Sequence, residues 1–300
     1  MTYNTLTSTI TDIIHCAWSV NFNLHLSSFE KDNIAGIRHL ANLCLRAQRP
    51  APATLNFCSS ISAAIRSPEP SIPESLPLSL AHAQAMGYAQ SKLVAEHLCV
   101  KAYQQTGLRA RVLRIGQVVG DTENGIWNTT EAIPLMIQSA TTIGALPKLD
   151  EFHRWLPVNT VAGVVVDIVL SESDVDEPKD AQAIYNIISP YPFHWTTDLL
   201  PCLRDAGLVF EELDTRTWLK RLRESNPDPV ANPPIKLVDF WTGKYDHDVP
   251  PRVVGWETGK TKAASRTFGQ AEELQRDIVQ KMMGYFFGVD GWGKGKVKLT

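Results

Sequence analysis

The stretch Gly87-Tyr88-Ala89-Gln90-Ser91-Lys92-Leu93-Val94-Ala95-Glu96 opens a predicted amphipathic helix between two segments with the composition of buried strands. Positions i and i+4 share a helix face. Tyr88 and Lys92 therefore present a phenol and an ammonium to one space. The helix is expected from Leu93, His97 and Leu98 on an apolar side, from the strong helix formers Ala95 and Glu96, and from the lack of Pro or Gly before Gly107. It should end at about Gln105. A phenol titrates near a pKa of ~10 in water, and a cation held beside it favours the phenolate. The pair then reads as a proton donor or acceptor. Alone, Tyr-x-x-x-Lys is a frequent chance pattern, and most helix-surface Tyr and Lys residues are simply solvated.

The flanking segments decide the fold class. Upstream, Leu55-Asn56-Phe57-Cys58 reads as a strand that ends in Ser59-Ser60-Ile61-Ser62, followed by a proline-rich loop at 68–77. Downstream, 110–119 reads as another strand. Nearer the N-terminus, 11–20 is a short apolar run passing into small and polar residues, as at the carboxyl end of a buried parallel strand. A helix at 29–45 follows, with Ile34, Ile37, Leu40, Ala41 and Cys44 on one face. Strand and helix alternate without hairpin signals, which predicts an α/β fold: a parallel sheet with right-handed crossovers. After Gly120 the pattern changes to a helix at 133–143, a loop at 147–155, a helix at 158–170, a strand at 183–188, helices at 195–208 and 215–224, a loop at 227–234 and a terminal helix at 272–287. The reading is a sheet domain over 1–190 with a cap insertion at about 121–157, a mainly helical cap over 191–290, and a mobile tail over 291–300.

Composition removes several function classes. The chain has 300 residues, 44% hydrophobic and 20% charged, with a net charge of -3. That balance argues against a nucleic-acid or anionic-membrane surface. The absence of a basic leader or a long apolar run predicts a cytoplasmic protein without a membrane span. Cys16, Cys44, Cys58, Cys99 and Cys202 are odd in number and never spaced as C-x-x-C, so they read as small buried hydrophobes in a reducing compartment. No metal site is expected: Asp246-His247-Asp248 are adjacent residues in a predicted solvated loop, and His82, His97, His153 and His194 lack ligand-spaced partners. No G-x-S-x-G turn of a serine hydrolase occurs. The Gly293-Lys294-Gly295-Lys296 run does not join a strand to a helix and is no phosphate loop.

Ligands of doubly wound sheets bind outside the carboxyl ends of the strands. His15 to Ala17, Ser59 to Ser62 and Gly116 to Gly120 all fall at that edge, as does the start of the Tyr88 helix. A Ser, a Tyr and a Lys so placed, with 28 positions from Ser60 to Tyr88, resemble the catalytic set of extended short-chain dehydrogenase/reductases. Further motifs sharpen the likeness: Asp12-Ile-Ile-His15-Cys-Ala-Trp18-Ser-Val20, Phe57-Cys-Ser59-Ser60-Ile-Ser62, Leu113-Arg-Ile-Gly116-Gln117-Val-Val-Gly120-Asp121, Gly125-Ile-Trp127-Asn128 and Trp155-Leu-Pro157-Val158-Asn159. Together they resemble the thioester reductase domains that terminate fungal non-ribosomal peptide synthetases of secondary metabolism, their one-module relatives, and those of aminoadipate and other carboxylic acid reductases. The likeness runs from about residue 11 to residue 290.

That resemblance implies a Rossmann-like sheet with a substrate cap. It also implies NADPH-dependent reduction of a thioester, carried on the phosphopantetheine arm of a carrier protein, to an aldehyde or alcohol. Carried over, Tyr88 protonates the oxyanion, Lys92 lowers the Tyr88 pKa and holds the nicotinamide ribose, and Ser60, chosen over Ser59, binds the carbonyl oxygen. His15, Ala17, Gly116 and Gln117 line the nicotinamide side. Trp127, Asn128, Glu131 and Arg154 fall where substrate-facing cap residues occur, positions that packing or surface residues also fill. The family's opening strand and G-x-x-G-x-x-G turn have no counterpart, since the first glycine is Gly36; the sheet is therefore expected to be an incomplete, truncated Rossmann-like one with an open edge. Three readings follow: a partial sequence of an NADPH-dependent reductase, a cofactor-independent acid/base enzyme for cyclisation, dehydration or isomerisation of a polyketide or peptide, and a non-catalytic remnant.

Overall fold

The computed structural model describes residues 3–48, 52–171, 183–246, 252–274, 276–289 and 292. The expected tail at 291–300, apart from Trp292, and His247 and Asp248 of the acidic cluster lie outside the described residues. The chain forms two compact units: residues 1–117, 160–190 and 254–271 make the first, and 118–159, 191–253 and 272–300 the second.

The first unit is built on a parallel sheet of β1 (Asp12–His15), β2 (Thr54–Ser60), β3 (Ala110–Ile115) and β4 (Ala183–Ile187), in that spatial order. Six of the seven β2 residues are buried, as expected of a strand covered on both faces. β1 has an alternating exposed and half-buried pattern and pairs along one side only among the described residues. Helix Ala35–Leu45 connects β1 to β2, and helix Gly87–Thr106 connects β2 to β3. Ile37, Ala41, Cys44, Leu55, Phe57, Ala95, Cys99, Val112 and Ile184 interlock between them. The Gly87–Thr106 helix ends where expected: Gly107 takes a φ of 70°, and its N–H bonds the Tyr103 carbonyl at 2.8 Å.

This helix is not amphipathic in the expected sense. Ser91, Lys92 and Glu96 are as deeply buried as Ala89, Leu93 and Cys99, because β2 and β3 supply polar partners to Lys92 and Glu96, and Trp18 supplies one to Ser91. The 29–45 helix is also modified: a 3-10 turn at Leu26–Phe29 and a π turn at Glu30–Ile34 precede the regular part. The strand expected at 110–119 breaks at Gly116, and Gln117–Val119 pairs instead with Trp155–Pro157. The segment read as a loop at 147–155 holds short strands: Ala145–Pro147 pairs with Glu211–Leu213, and Phe152–His153 with Phe193–His194.

Residues 254–271, assigned by sequence to the cap, belong to the first unit. Gly255–Trp256 pairs with Ser71–Ile72. Glu74, 4% exposed, then accepts from the backbone N–H of Asn186 at 3.2 Å and of Thr261 at 2.9 Å. A carboxylate at the start of helix Gly259–Ala264 satisfies donors that the helix cannot, which is what draws this distant segment back. The second unit packs helices Ala132–Thr142, Leu200–Asp205, Thr215–Arg223, Val238–Tyr245 and Arg276–Gly288 around Trp195, Trp218, Trp241 and Trp292, each no more than 1% exposed. No helix among the described residues is long and apolar enough to cross a membrane.

Candidate active site

Tyr88, Lys92 and Glu96 recur every four residues and form one stripe facing the carboxyl end of β2. Each meets a different β2 group. The Tyr88 phenol lies beside the Ser60 side chain, whose polar influence lowers its pKa. Lys92 Nζ donates to the Cys58 carbonyl at 2.7 Å. Glu96 Oε1 accepts from Ser59 Oγ at 2.6 Å. Neighbouring strand residues face opposite sides, so Ser59 and Ser60 serve different purposes. Ser59 is committed to a buried ion pair, while Ser60, half-buried, also accepts from Ser62 Oγ at 2.9 Å and from the Ser62 N–H at 3.2 Å.

The electrostatics differ from the expectation in one respect. Burial pushes the Tyr88 phenol above its ordinary value, and the neighbouring Ser60 side chain opposes this; Lys92 contributes no lowering. The reason is that the ammonium is held by the Cys58 carbonyl, among the rings of Trp18 at 4.4 Å, Phe57 at 4.9 Å and Tyr88 at 5.8 Å. Its hydrogen bond goes to the Cys58 carbonyl, and the Tyr88 ring lies farther off than those of Trp18 and Phe57. Burial brings Lys92 down to about 8, against the raising effects of Cys58, Cys16 and Glu96. Trp18 has no role that its sequence motif alone assigns. Its position just after β1, opposite the Lys92 helix, was the available signal, and its Nε1 bonds Ser91 Oγ at 3.1 Å.

The lysine carries a pH prediction. Its folded pKa lies below its unfolded one, so between about pH 8 and 10.5 the unfolded chain binds more protons and stability rises with pH. Lys92→Met should remove that rise. The difference between the wild-type and Lys92→Met denaturation free energies is expected to change by roughly 3 kcal/mol across that window. Parallel curves would refute the assignment.

Gly87 sets how closely the covering loop approaches. A Cβ there would lie 2.2 Å from the Leu24 carbonyl oxygen and 2.6 Å from Leu26 N. This contact seats Phe22 and Phe29 edge-on against the Tyr88 ring, at 5.4 and 6.4 Å. Gly87→Ala should displace the loop at a cost of about 1–3 kcal/mol. A shift of the denaturation midpoint and a changed Tyr88 ring environment by NMR would register it; an unchanged spectrum would sink the prediction.

The remaining candidates sort by position. His15 stacks on Phe57 at 6.2 Å, its Nε2 is buried without a hydrogen-bond partner, and burial, then Lys92, lowers its pKa. Ala17 is exposed. Gly116 donates its N–H to the Ile187 carbonyl at 2.9 Å, and a Cβ would meet Ile188 at 3.2 Å, so its smallness already serves the β3 and β4 junction. Gln117 begins the short strand that follows. In the second unit, Trp127 is 4% exposed and packs on Trp155 and Phe286. It is a core residue, since its ring lies in the unit's main apolar cluster and its Nε1 donates to Glu131 at 3.1 Å. Burial raises the Glu131 carboxyl and lowers the Arg154 guanidinium. Asn128 closes a turn by accepting from the Thr130 N–H and hydroxyl. No group of three or more His, Cys, Asp or Glu among the described residues is arranged to hold a metal.

A profile of the NAD-binding family described as Male sterility protein matches residues 1–169. The chain belongs to that family. It is 34% identical over 252 residues to the adenylate-forming reductase Nps10 of Heterobasidion annosum, covering 80% of this chain and 22% of that protein. It is 29% identical over 297 residues to the carboxylic acid reductase of Neurospora crassa, covering 93% and 27%. The chain thus spans about a quarter of these relatives' length. The fold matches the terminal R domain of the myxalamid PKS-NRPS pathway with a TM-score of 0.80 and 23% identity, over 98% of this chain and 72% of that one.

A nicotinamide cofactor fits part of this family member. At the sheet edge, His15 Nε2 is buried without a hydrogen-bond partner and Lys92 is buried close by, which is polar chemistry compatible with such a group. The described residues contain no glycine-rich strand-to-helix turn for a pyrophosphate: Gly36, the first glycine, lies inside helix Ala35–Leu45.

Proposed function

We propose that Ser60, Tyr88 and Lys92 serve the NADPH-dependent reduction of an acyl thioester, carried on a phosphopantetheine arm, to an aldehyde or alcohol. The observation that carries this reading is the grouping of Ser60, the Tyr88 phenol and a buried Lys92 at the carboxyl end of a parallel sheet in a member of an NAD-binding family. NADPH, when bound, supplies the hydride. Ser60 binds the carbonyl oxygen, and Tyr88 delivers its proton there as negative charge develops. The raised pKa keeps that proton in place at neutral pH, so the phenol starts as a donor. Loss of the pantetheine thiol from the resulting thiohemiacetal leaves the aldehyde. His15, Ala17, Gly116 and Gln117 belong to the nicotinamide side, and Lys92 to the ribose.

Calorimetric titration with NADPH tests this. Micromolar binding supports the reading. No binding, together with a Tyr88-dependent product from a model thioester without any nicotinamide, would replace it by cofactor-independent acid/base chemistry. Neither binding nor turnover would overturn both.

A further inference from the structure

A pair of thiols beside this site has no part in that chemistry. Cys16 Sγ and Cys58 Sγ lie 3.3 Å apart. The backbone dictates the pairing. β1 and β2 run parallel with His15 opposite Phe57, and the next residue on each strand is a cysteine. Neighbouring strands are about 4.8 Å apart, within the roughly 4.4–6.8 Å between Cα atoms that a disulfide spans. The sequence reading of the five cysteines as buried hydrophobes is therefore corrected for Cys16, which is exposed, whereas Cys44, Cys58 and Cys99 are buried and Cys202 is partly so.

We propose that Cys16 and Cys58 are an oxidisable dithiol that closes to a reversible disulfide beneath Lys92. The oxidant class is a low-molecular-weight disulfide. The exposed Cys16 thiolate attacks one of its sulfurs, forming a mixed disulfide and expelling one thiolate. The Cys58 thiolate then attacks Cys16 Sγ and expels the second. Two electrons pass from the cysteines to the small disulfide, and the two cysteine protons end on the two released thiols. Burial and the Cys16 neighbour push the Cys58 thiol up to about 12, with Lys92 acting the other way, so Cys16 reacts first and Cys58 resolves. The site is coupled to the candidate active site through the backbone: the Cys58 carbonyl holds Lys92 Nζ, and Trp18, two residues after Cys16, covers the same ammonium. The pairing stands whether or not the chain is a reductase.

The test treats the full chain with oxidised glutathione, traps residual thiols by alkylation after acid denaturation, and maps peptides by mass spectrometry. The expected result is a Cys16–Cys58 linked peptide lighter by two hydrogens, with only Cys44, Cys99 and Cys202 alkylated, all reversed by dithiothreitol. Cys16→Ser should abolish the link and Cys202→Ser should leave it. In Cys58→Ser a stable glutathione adduct should remain on Cys16. A persistent adduct on wild-type Cys16 with Cys58 still alkylated, or no oxidation of either thiol, would overturn the proposal. The wild-type map decides the matter even if a variant does not fold.

Discussion

Tyr88→Phe is expected to lower thioester turnover by about 10²–10⁴-fold while leaving NADPH binding and the denaturation midpoint close to wild type. Removing a positioned general acid costs a factor of that order. The fold should tolerate the change because the contacts of the ring with Phe22 and Phe29 do not involve the hydroxyl. What is lost is the polar influence of the half-exposed hydroxyl on Ser60, worth no more than about 0.5–1.5 kcal/mol. A fall in kcat with unchanged cofactor affinity places the phenol at the reacting oxygen. Unchanged turnover would remove Tyr88 from the site. Ser60→Ala should act in the same direction with a smaller effect, because it deletes a carbonyl-binding donor and leaves the proton in place.

The largest stability effect is expected at the base of the same stripe. Glu96 and Arg114 are both 0% exposed and form a two-pronged pair, with Arg114 Nη2 at 2.8 Å and Nε at 3.1 and 3.2 Å from the carboxylate. Arg114 also donates to the carbonyls of Pro73 and Ser75, which flank Glu74 and so hold the loop that draws in helix Gly259–Ala264. Arg114→Met leaves the Glu96 charge buried with Ser59 as its remaining donor. Breaking such a pair costs about 3–5 kcal/mol, a large part of a typical 5–15 kcal/mol. Urea denaturation should show a lowered midpoint, and the double variant Glu96→Met with Arg114→Met should recover much of the loss. A single-variant cost below about 1 kcal/mol would refute this account.

The α/β class was legible because it depends on local periodicity and composition. Apolar runs at β1, β2 and β3, separated by helical spacing, specify parallel pairing whatever the partners. The four-residue interval from Tyr88 to Lys92 likewise fixes a shared face before any packing is known. Helix ends were readable wherever a local rule set them, as at Gly107.

The burial of charge was not legible. Glu96 reads only as a strong helix former, and Arg114 from a distant strand makes it a core residue. The return of 254–271 to the first unit depends on Glu74, whose partners lie far along the chain. Trp127 looks the same in sequence whether it faces a ligand or fills a core.

The sequence by itself determined the fold class, the strand-and-helix order and the common face of Tyr88 and Lys92, because these follow from the geometry of a single helix or strand. Only the tertiary structure decided what that face does. It sends Lys92 to the Cys58 carbonyl instead of the phenol oxygen, separates Ser59 from Ser60, and sets Cys16 against Cys58. Each of these outcomes depends on which strand lies beside which and in what register, and no stretch of sequence records its own neighbour.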